Sequence, residues 1–191
     1  MKNPPSFEAV ETKVREICAE SLVFEGELDC HRPLIAELGF DSLDMIEVSF
    51  ALEEFFGVEF ASRNAITELD RILGGERILA ENKLTELGRK LVFERMPELA
   101  DVDLPEDLAV SGLPGYFTVQ TFARIIHDFY AQAPDSCPET GEEVVLDDFQ
   151  LVLAKSRESV DLPAGDVLMQ SWLDAKASEL ELQGAGVAKD G

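Results

Sequence analysis

The chain has 191 residues, enough for one medium-sized domain or two small ones, and its hydrophobic content of 46% allows a packed core. The formal net charge is −23, from 39 acidic residues against 16 Lys and Arg. Such acidity argues against nucleic acid and anionic membranes as partners, because both attract cations, and it favours basic protein surfaces or a role in solubility alone.

The N terminus and the cysteines indicate the compartment. The first five residues contain no apolar signal core, and no apolar run elsewhere is long enough to span a membrane. The three cysteines, Cys18, Cys30 and Cys137, have neither metal-ligand nor disulfide spacing. We therefore expect a cytoplasmic protein with reduced thiols and no membrane span.

Two helices are predicted in the first third of the chain. Ser6 is a suitable N-cap, and apolar residues then recur at helical spacing to about Leu22. A long polar loop follows over residues 24–39. The second helix extends over residues 42–56 with a wide apolar stripe, and Gly57 is its C-terminal glycine.

The start of the second helix carries the most specific pattern, Leu38-Gly39-Phe40-Asp41-Ser42-Leu43-Asp44. Gly39 permits a bend before the helix, and Asp41 or Ser42 can accept hydrogen bonds from the free N–H groups of the first turn. A phosphate ester on Ser42 would lie at the helix N terminus, where the helix dipole favours negative charge. From these residues alone, Ser42 is either a modified serine or only an N-cap.

This string resembles the Gly-x-Asp-Ser-Leu attachment motif of acyl carrier proteins, in which the serine carries a 4′-phosphopantetheine arm. The similarity covers about residues 6–60 well and residues 61–95 more loosely. It implies an all-α fold, a four-helix bundle followed by a mainly helical C-terminal extension. It also implies a covalent 4′-phosphopantetheine on Ser42, with Asp41 and Leu43 beside the arm.

The resemblance implies partner-binding residues on the second helix as well. They combine acidic and apolar side chains: Asp44, Ile46, Glu47, Phe50, Glu53 and Glu54. Phe50 is bulkier than the aliphatic residue usual at that position. Between Pro33 and Ser62 the chain has no Lys or Arg but seven acidic residues, Glu37, Asp41, Asp44, Glu47, Glu53, Glu54 and Glu59. The expected partners are therefore phosphopantetheinyl transferase and acyl synthases or acyltransferases with basic docking surfaces, which a monomeric carrier visits in turn.

The implied function is that of an acyl carrier, which holds acyl groups as thioesters on the arm in fatty-acid, polyketide or specialised lipid synthesis. A peptidyl or aryl carrier is an alternative within the same chemistry, although those proteins usually have Gly-Gly-His/Asp-Ser where this chain has Gly39-Phe40-Asp41-Ser42. An alternative of another class is an unmodified, carrier-shaped interaction subunit. No enzymatic activity is expected, because His31 and His127 stand in no catalytic pattern and the chain has no metal-ligand spacing.

The domain organisation allows two alternatives. In the favoured one, residues 78–95 form the closing helix of a carrier domain at 1–96, a helical extension follows at 97–183, and residues 184–191 are a flexible tail. In the other, Thr118 caps the closing helix, and residues 64–116 are an insertion of a length that is uncommon in a small bundle.

Other elements are predicted from apolar spacing. Residues 66–73 are predicted as a short helix, residues 117–130 as an amphipathic helix and residues 161–182 as a last helix. Residues 144–153 have mixed spacing, for which a helix is favoured and a strand stays open.

Overall fold

Helices dominate the computed structural model, which describes residues 4–187. In that stretch the α-helices are α1 Phe7–Ser21, α2 Ser42–Phe56, α3 Ala65–Ile72, α4 Glu86–Arg95, α5 Val119–Ala131 and α6 Gly165–Val187. Two short antiparallel hairpins accompany them: β1 Leu79–Ala80 with β2 Lys83–Leu84, and β3 Val144–Asp147 with β4 Gln150–Leu153. The prediction of a mainly helical, carrier-like fold is confirmed.

The residues divide into two compact units, and each unit draws on two separate stretches of chain. Of the described residues, the first unit comprises those up to Phe60 and Gly115–Gly165, and the second comprises Ala61–Pro114 and those from Asp166 onward. Their limits do not coincide with the predicted division into residues 1–96 and 97–183. That those two segments are independently folding domains stays a prediction.

The core of the first unit forms where α1, α2 and α5 meet. α1 packs against both of the other helices. Each helix contributes an apolar face that is buried in this unit: Val10, Val14 and Cys18 from α1, Val48, Leu52 and Phe56 from α2, and Phe122, Ile126 and Phe129 from α5. α4 belongs to the other unit. The helix at Val119–Ala131 therefore shares a core with α1 and α2, which favours the alternative that treats residues 64–116 as an insertion.

The long loop between α1 and α2 is held by the segment that leads into α5. The Leu34 N–H donates to the carbonyl of Phe117 at 2.9 Å, and the Ala36 N–H donates to the carbonyl of Gly115 at 3.0 Å. These two hydrogen bonds satisfy backbone N–H groups of the loop. The start of α5 thus positions the turn at Gly39, from which α2 begins.

Residues 144–153 form the hairpin β3–β4, so the favoured prediction of a helix there is wrong. The strands pair antiparallel, with Val144 opposite Leu153. Asp148 and Phe149 form the turn and have positive φ angles of 46° and 66°. Two consecutive residues of this kind match the twist of a tight hairpin, and the valines of the strands favour extended backbone. Cross-strand pairing outweighs the partial helical spacing of the leucines.

The tip of this hairpin packs on the C-terminal end of α2. The ring of Phe149 lies 5.5 Å from that of Phe56 and 6.1 Å from that of Phe55, measured between centroids. Tyr130 of α5 donates its hydroxyl hydrogen bond to the carbonyl of Phe149 at 2.6 Å. The Gln150 side-chain amide donates to the carbonyl of Phe55 and so satisfies an acceptor that the helix end leaves open.

The second unit contains α3, α4 and α6. The buried Asp70 carboxylate on α3 accepts hydrogen bonds from the N–H groups of Ile78 and Leu79 at 2.8 and 3.1 Å, and so satisfies the backbone at the start of β1. Lys176 of α6 is almost fully buried and pairs with Glu94 of α4. A buried ammonium needs such a partner, because desolvation of an unpaired charge is costly.

α3 agrees with the short helix predicted at residues 66–73, but α4 does not begin where it was expected. Residues 79–84 form the β1–β2 hairpin instead of the first turns of a helix at 78–95. Glu81 and Asn82 occupy the turn with positive φ angles of 49° and 66°. Leucines at positions 79 and 84 had suggested helical spacing, but the turn between them reverses the chain.

α6 begins at Gly165, four residues later than the predicted helix, because Pro163 keeps the preceding backbone extended. It continues to Val187, through the first residues of the predicted tail. Residues 188–191 of that tail lie outside the described residues. No helix within residues 4–187 is both long and apolar enough to cross a membrane.

Candidate attachment site

Asp41, and not Ser42, caps the N terminus of α2. The Asp41 carboxylate accepts hydrogen bonds from the N–H groups of Leu43 and Asp44 at 2.7 and 3.1 Å. In return the Asp44 carboxylate accepts from the Asp41 N–H at 2.7 Å, which completes a capping box. The interpretation of Ser42 as only an N-cap therefore loses its basis, because the capping task belongs to its neighbour.

Ser42 occupies the first helical position and is exposed to solvent. Within the described residues its hydroxyl makes no hydrogen bond, so the oxygen is available to an incoming group. The dipole of α2 favours a negative group at this helix end, although the Leu43 and Asp44 N–H groups are already taken by Asp41. The site therefore suits a serine that is modified with a phosphodiester.

A constrained turn brings the chain to Ser42. Gly39 has φ +81°, a left-handed conformation that residues with a Cβ rarely adopt. The Gly39 N–H donates to the carbonyl of Ile35 at 3.2 Å, and the Phe40 N–H donates to that of Leu34 at 3.2 Å. Since Leu34 is itself hydrogen-bonded to the segment before α5, the turn that leads to Ser42 is held in place.

The exposed face of α2 carries an apolar strip, which consists of Leu43, Ile46 and Phe50. Their side chains are 67%, 50% and 65% exposed, although the opposite face of the same helix is fully buried. The spacing of three and four residues places all three on one side of the helix. Apolar side chains at such exposure and so close together favour contact with another protein.

The four predicted acidic partner residues on α2 differ in what they do inside the protein. Glu47 and Glu54 are exposed. Asp44 belongs to the capping box, and the half-buried Glu53 accepts a hydrogen bond from the Phe60 N–H at 2.6 Å. Glu47 and Glu54 are thus exposed acids, while Asp44 and Glu53 also hold the helix ends.

Neither of the two histidines forms a catalytic pair with Ser42 among the described residues. His127 packs edge-on against Phe7, with ring centroids 5.8 Å apart, and His31 is exposed in the loop before Pro33. Neither histidine hydrogen-bonds to Ser42 in the described part of the chain. A serine hydroxyl is a weak nucleophile without a base beside it.

The cysteines do not add a second site. Burial raises the pKa of the Cys18 thiol to about 12, which keeps it protonated in the core. Burial also raises the pKa of Cys30, whereas hydrogen bonds at Thr140 lower the pKa of Cys137 in a loop. Among the described residues there is no group of three or more His, Cys, Asp or Glu that could hold a metal ion.

Val23 is an exposed apolar residue that the sequence pattern did not bring out. It directly follows α1 and is 85% exposed. Its backbone has φ +48°, in the region that glycine usually occupies after a helix. The sequence could have identified it only by what is missing. A helix that ends in this turn usually has glycine at this position, and α1 is followed by a valine instead.

A family model for the phosphopantetheine attachment site matches residues 12–71. The match includes all of α2 and therefore Ser42 with its capping box. No solved structure matches the chain. Residues 12–71 are thus similar to the phosphopantetheine attachment segments of carrier proteins, and the cofactor that this similarity implies is covalently attached 4′-phosphopantetheine.

Proposed function

We propose that Ser42 is the attachment residue and that the protein carries acyl groups in fatty-acid, polyketide or specialised lipid synthesis. The observation that supports this proposal is the division of tasks at the start of α2. Asp41 caps the helix, while the Ser42 hydroxyl is exposed and makes no hydrogen bond to any described residue. When bound, the arm supplies a terminal thiol that forms thioesters with acyl groups.

The loading step requires only an oxygen from this chain. The Ser42 Oγ attacks the phosphorus of coenzyme A that bears the arm, and the phosphoanhydride bond breaks. Adenosine 3′,5′-bisphosphate leaves, and the serine proton passes to a base on phosphopantetheinyl transferase and then to solvent. The helix N terminus accommodates the phosphodiester charge that remains on Ser42.

We infer that the chain has no catalytic activity of its own and acts through partner enzymes. The apolar strip and the exposed Glu47 and Glu54 offer a partner both contact area and negative charge. Acyl synthases or acyltransferases with basic docking surfaces fit this combination, because opposite charge steers encounter and leaves dissociation fast. A monomeric, cytoplasmic carrier stays the expectation.

Intact-protein mass spectrometry tests the attachment residue. The protein is incubated with coenzyme A and a broad-specificity phosphopantetheinyl transferase. We expect one arm on the wild type and none on Ser42→Ala. Ser49→Ala is the matched control, because the Ser49 hydroxyl donates to the Met45 carbonyl one turn further along the same helix. An unmodified wild type, or an arm on Ser42→Ala, would refute the proposal.

A further inference from the structure

The C-terminal end of α1 has an unfavourable residue at its tightest point. The Val23 N–H donates to the carbonyl of Glu20 at 3.1 Å, and the Phe24 N–H donates to that of Ala19 at 2.9 Å. This pair of hydrogen bonds is the Schellman motif, whose central residue takes a left-handed conformation. Val23 occupies that position with φ +48°. For a β-branched residue this conformation is an outlier that costs free energy.

In the described part of the first unit, burial of the Val23 side chain does not offset this cost. Phe149 also has positive φ, at 66°, but its ring packs against Phe55 and Phe56. Val23, by contrast, is 85% exposed and makes no comparable contact. Glycine or asparagine would suit its backbone better, and a polar side chain would suit its exposure better. Two unfavourable features at one exposed residue indicate a role outside the folded chain itself.

The neighbouring residue connects Val23 with the attachment site. The ring of Phe24 lies edge-on to that of Phe40, with the centroids 6.0 Å apart. Phe40 precedes Ser42 by two residues, and the exposed Leu43 follows it directly. The end of α1 and the start of α2 therefore belong to the same end of the first unit.

We propose that Val23 is an apolar docking residue for the phosphopantetheinyl transferase that loads Ser42, and that its strained backbone is retained for this contact. The inference rests on the proposed function, since it assigns a further contact to the enzyme that attaches the arm. The partner surface would be an apolar pocket with a basic rim. Charge complementarity supports this choice, because the exposed acids Glu20 and Glu25 flank Val23 and the stretch from Pro33 to Ser62 has no cation.

Two substitutions separate docking from folding. Val23→Asn tolerates the left-handed backbone and is polar, whereas Val23→Leu keeps an apolar side chain without branching at Cβ. Both variants relieve strain, so both should unfold at a higher temperature than the wild type. Only Val23→Asn should dock poorly. We expect its KM for arm addition to rise about threefold to tenfold, in keeping with the loss of one partly buried apolar side chain, with kcat nearly unchanged.

The assay measures the initial rate of arm addition as the concentration of each full-length protein is varied, with coenzyme A in excess. Glu76→Asn is the matched control, because Glu76 is also exposed with a positive φ of 62° but lies in the second unit. It should leave KM unchanged. Val23→Gly is a second variant, because glycine adopts this backbone conformation without a steric clash. It should raise KM as Val23→Asn does.

The outcomes are distinct. A wild-type KM in both Val23→Asn and Val23→Gly overturns the docking role and leaves the attachment proposal intact. A wild type that takes no arm overturns the proposed function and the docking role with it. If the substitutions instead change the oligomeric state in size-exclusion chromatography, Val23 contacts a second copy of the chain and the transferase is the wrong partner.

Discussion

Asp41 and Ser42 are adjacent residues with separate tasks, and this separation is what leaves the serine free. A serine that capped α2 would lose a hydrogen bond of the helix whenever its oxygen was esterified. Here the carboxylate of Asp41 holds the first turn, so modification of Ser42 leaves the helix end intact. Asp44 reinforces the arrangement from the third helical position.

At this scale we predict opposite consequences for two neighbouring substitutions. Asp41→Ala should lower the free energy of unfolding by about 1 kcal/mol, because it removes the capping side chain. Ser42→Ala should leave stability nearly unchanged, because its hydroxyl makes no hydrogen bond in the described residues. Urea unfolding followed by circular dichroism measures both. Equal losses in the two variants would contradict the assignment of the cap to Asp41.

A second residue-scale prediction concerns Tyr130, whose hydroxyl donates to the carbonyl of Phe149. Burial raises its pKa above the ordinary value of 10.0. The unfolded chain therefore releases this proton at a lower pH than the folded chain. The stability linked to Tyr130 is complete below about pH 10 and is lost as the pH rises further.

Tyr130→Phe should reveal this linkage in unfolding curves recorded from neutral to alkaline pH. At neutral pH the variant should be less stable by about 1 kcal/mol, the worth of one hydrogen bond. Above about pH 10 the difference in the free energy of unfolding should shrink. Only the wild type loses stability there, because its Tyr130 ionises more readily in the unfolded chain than in the folded one. Curves that stay parallel across the whole range would show that Tyr130 does not contribute to alkaline unfolding.

At the scale of elements, α2 combines three functions on different parts of its surface. One face is buried against α1, the N terminus presents Ser42, and the remaining face shows the apolar strip beside Glu47 and Glu54. The C-terminal end is fixed separately by the β3–β4 hairpin. Docking can therefore be altered on the exposed face without changing the core.

We predict that the exposed acids of α2 govern association with the transferase. The double variant Glu47→Lys with Glu54→Lys should lower kcat/KM for arm addition, mainly through slower association. Added salt should lower the wild-type value and have less effect on the variant. Glu106→Lys with Glu139→Lys is the matched control, because both residues are exposed, lie outside α2 and change the net charge equally. An equal decrease of kcat/KM in the control variant would show that net charge alone, and not the position of the acids on α2, causes the effect.

Local signals made α1, α2 and α3 predictable from the sequence. Each has a capping residue followed by apolar residues at helical spacing, as Ser6 and Asn64 show for α1 and α3. The hairpins were missed because the residues at their turns, such as Glu81 and Phe149, are not the glycines that usually mark positive φ. Val23 escaped notice for the same reason. At the hairpins, cross-strand pairing overrides a weak local preference, whereas no such contact accounts for Val23.

At the scale of the whole molecule, the sequence offers two candidates for the closing helix of the carrier bundle. Residues 84–94 and residues 118–130 both have apolar stripes, and one sequence contains no information on which stripe meets α1. The structure places α5 in the first unit and α4 in the second. Residues 61–114 therefore separate α2 from α5 in the sequence without belonging to the first unit. A connection of this length is uncommon in a small helical bundle, which is why the sequence favoured the other alternative.

Two shortened proteins test this organisation. A chain that ends at residue 96 lacks α5, so Val10, Val14 and Cys18 lose their cover. We expect it to lose cooperative unfolding and arm addition. A chain that joins residues 1–60 to residues 115–165 through a short Gly/Ser linker retains α1, α2, α5 and the β3–β4 hairpin. It should fold and accept the arm on Ser42.

The contacts near the cut ends support the second expectation. The ring of Phe60 lies 6.2 Å from that of Phe122, and the Gly165 N–H donates to the Glu59 carbonyl at 2.7 Å. Gly115, on the other side of the join, accepts from the Ala36 N–H, so both joined ends are held within the first unit, and a short linker costs little closure entropy. Circular dichroism, thermal unfolding and intact mass compare the two proteins. If the chain ending at residue 96 is the one that folds and is loaded, residues 1–96 are the carrier domain, and α5 is dispensable for carrying the arm.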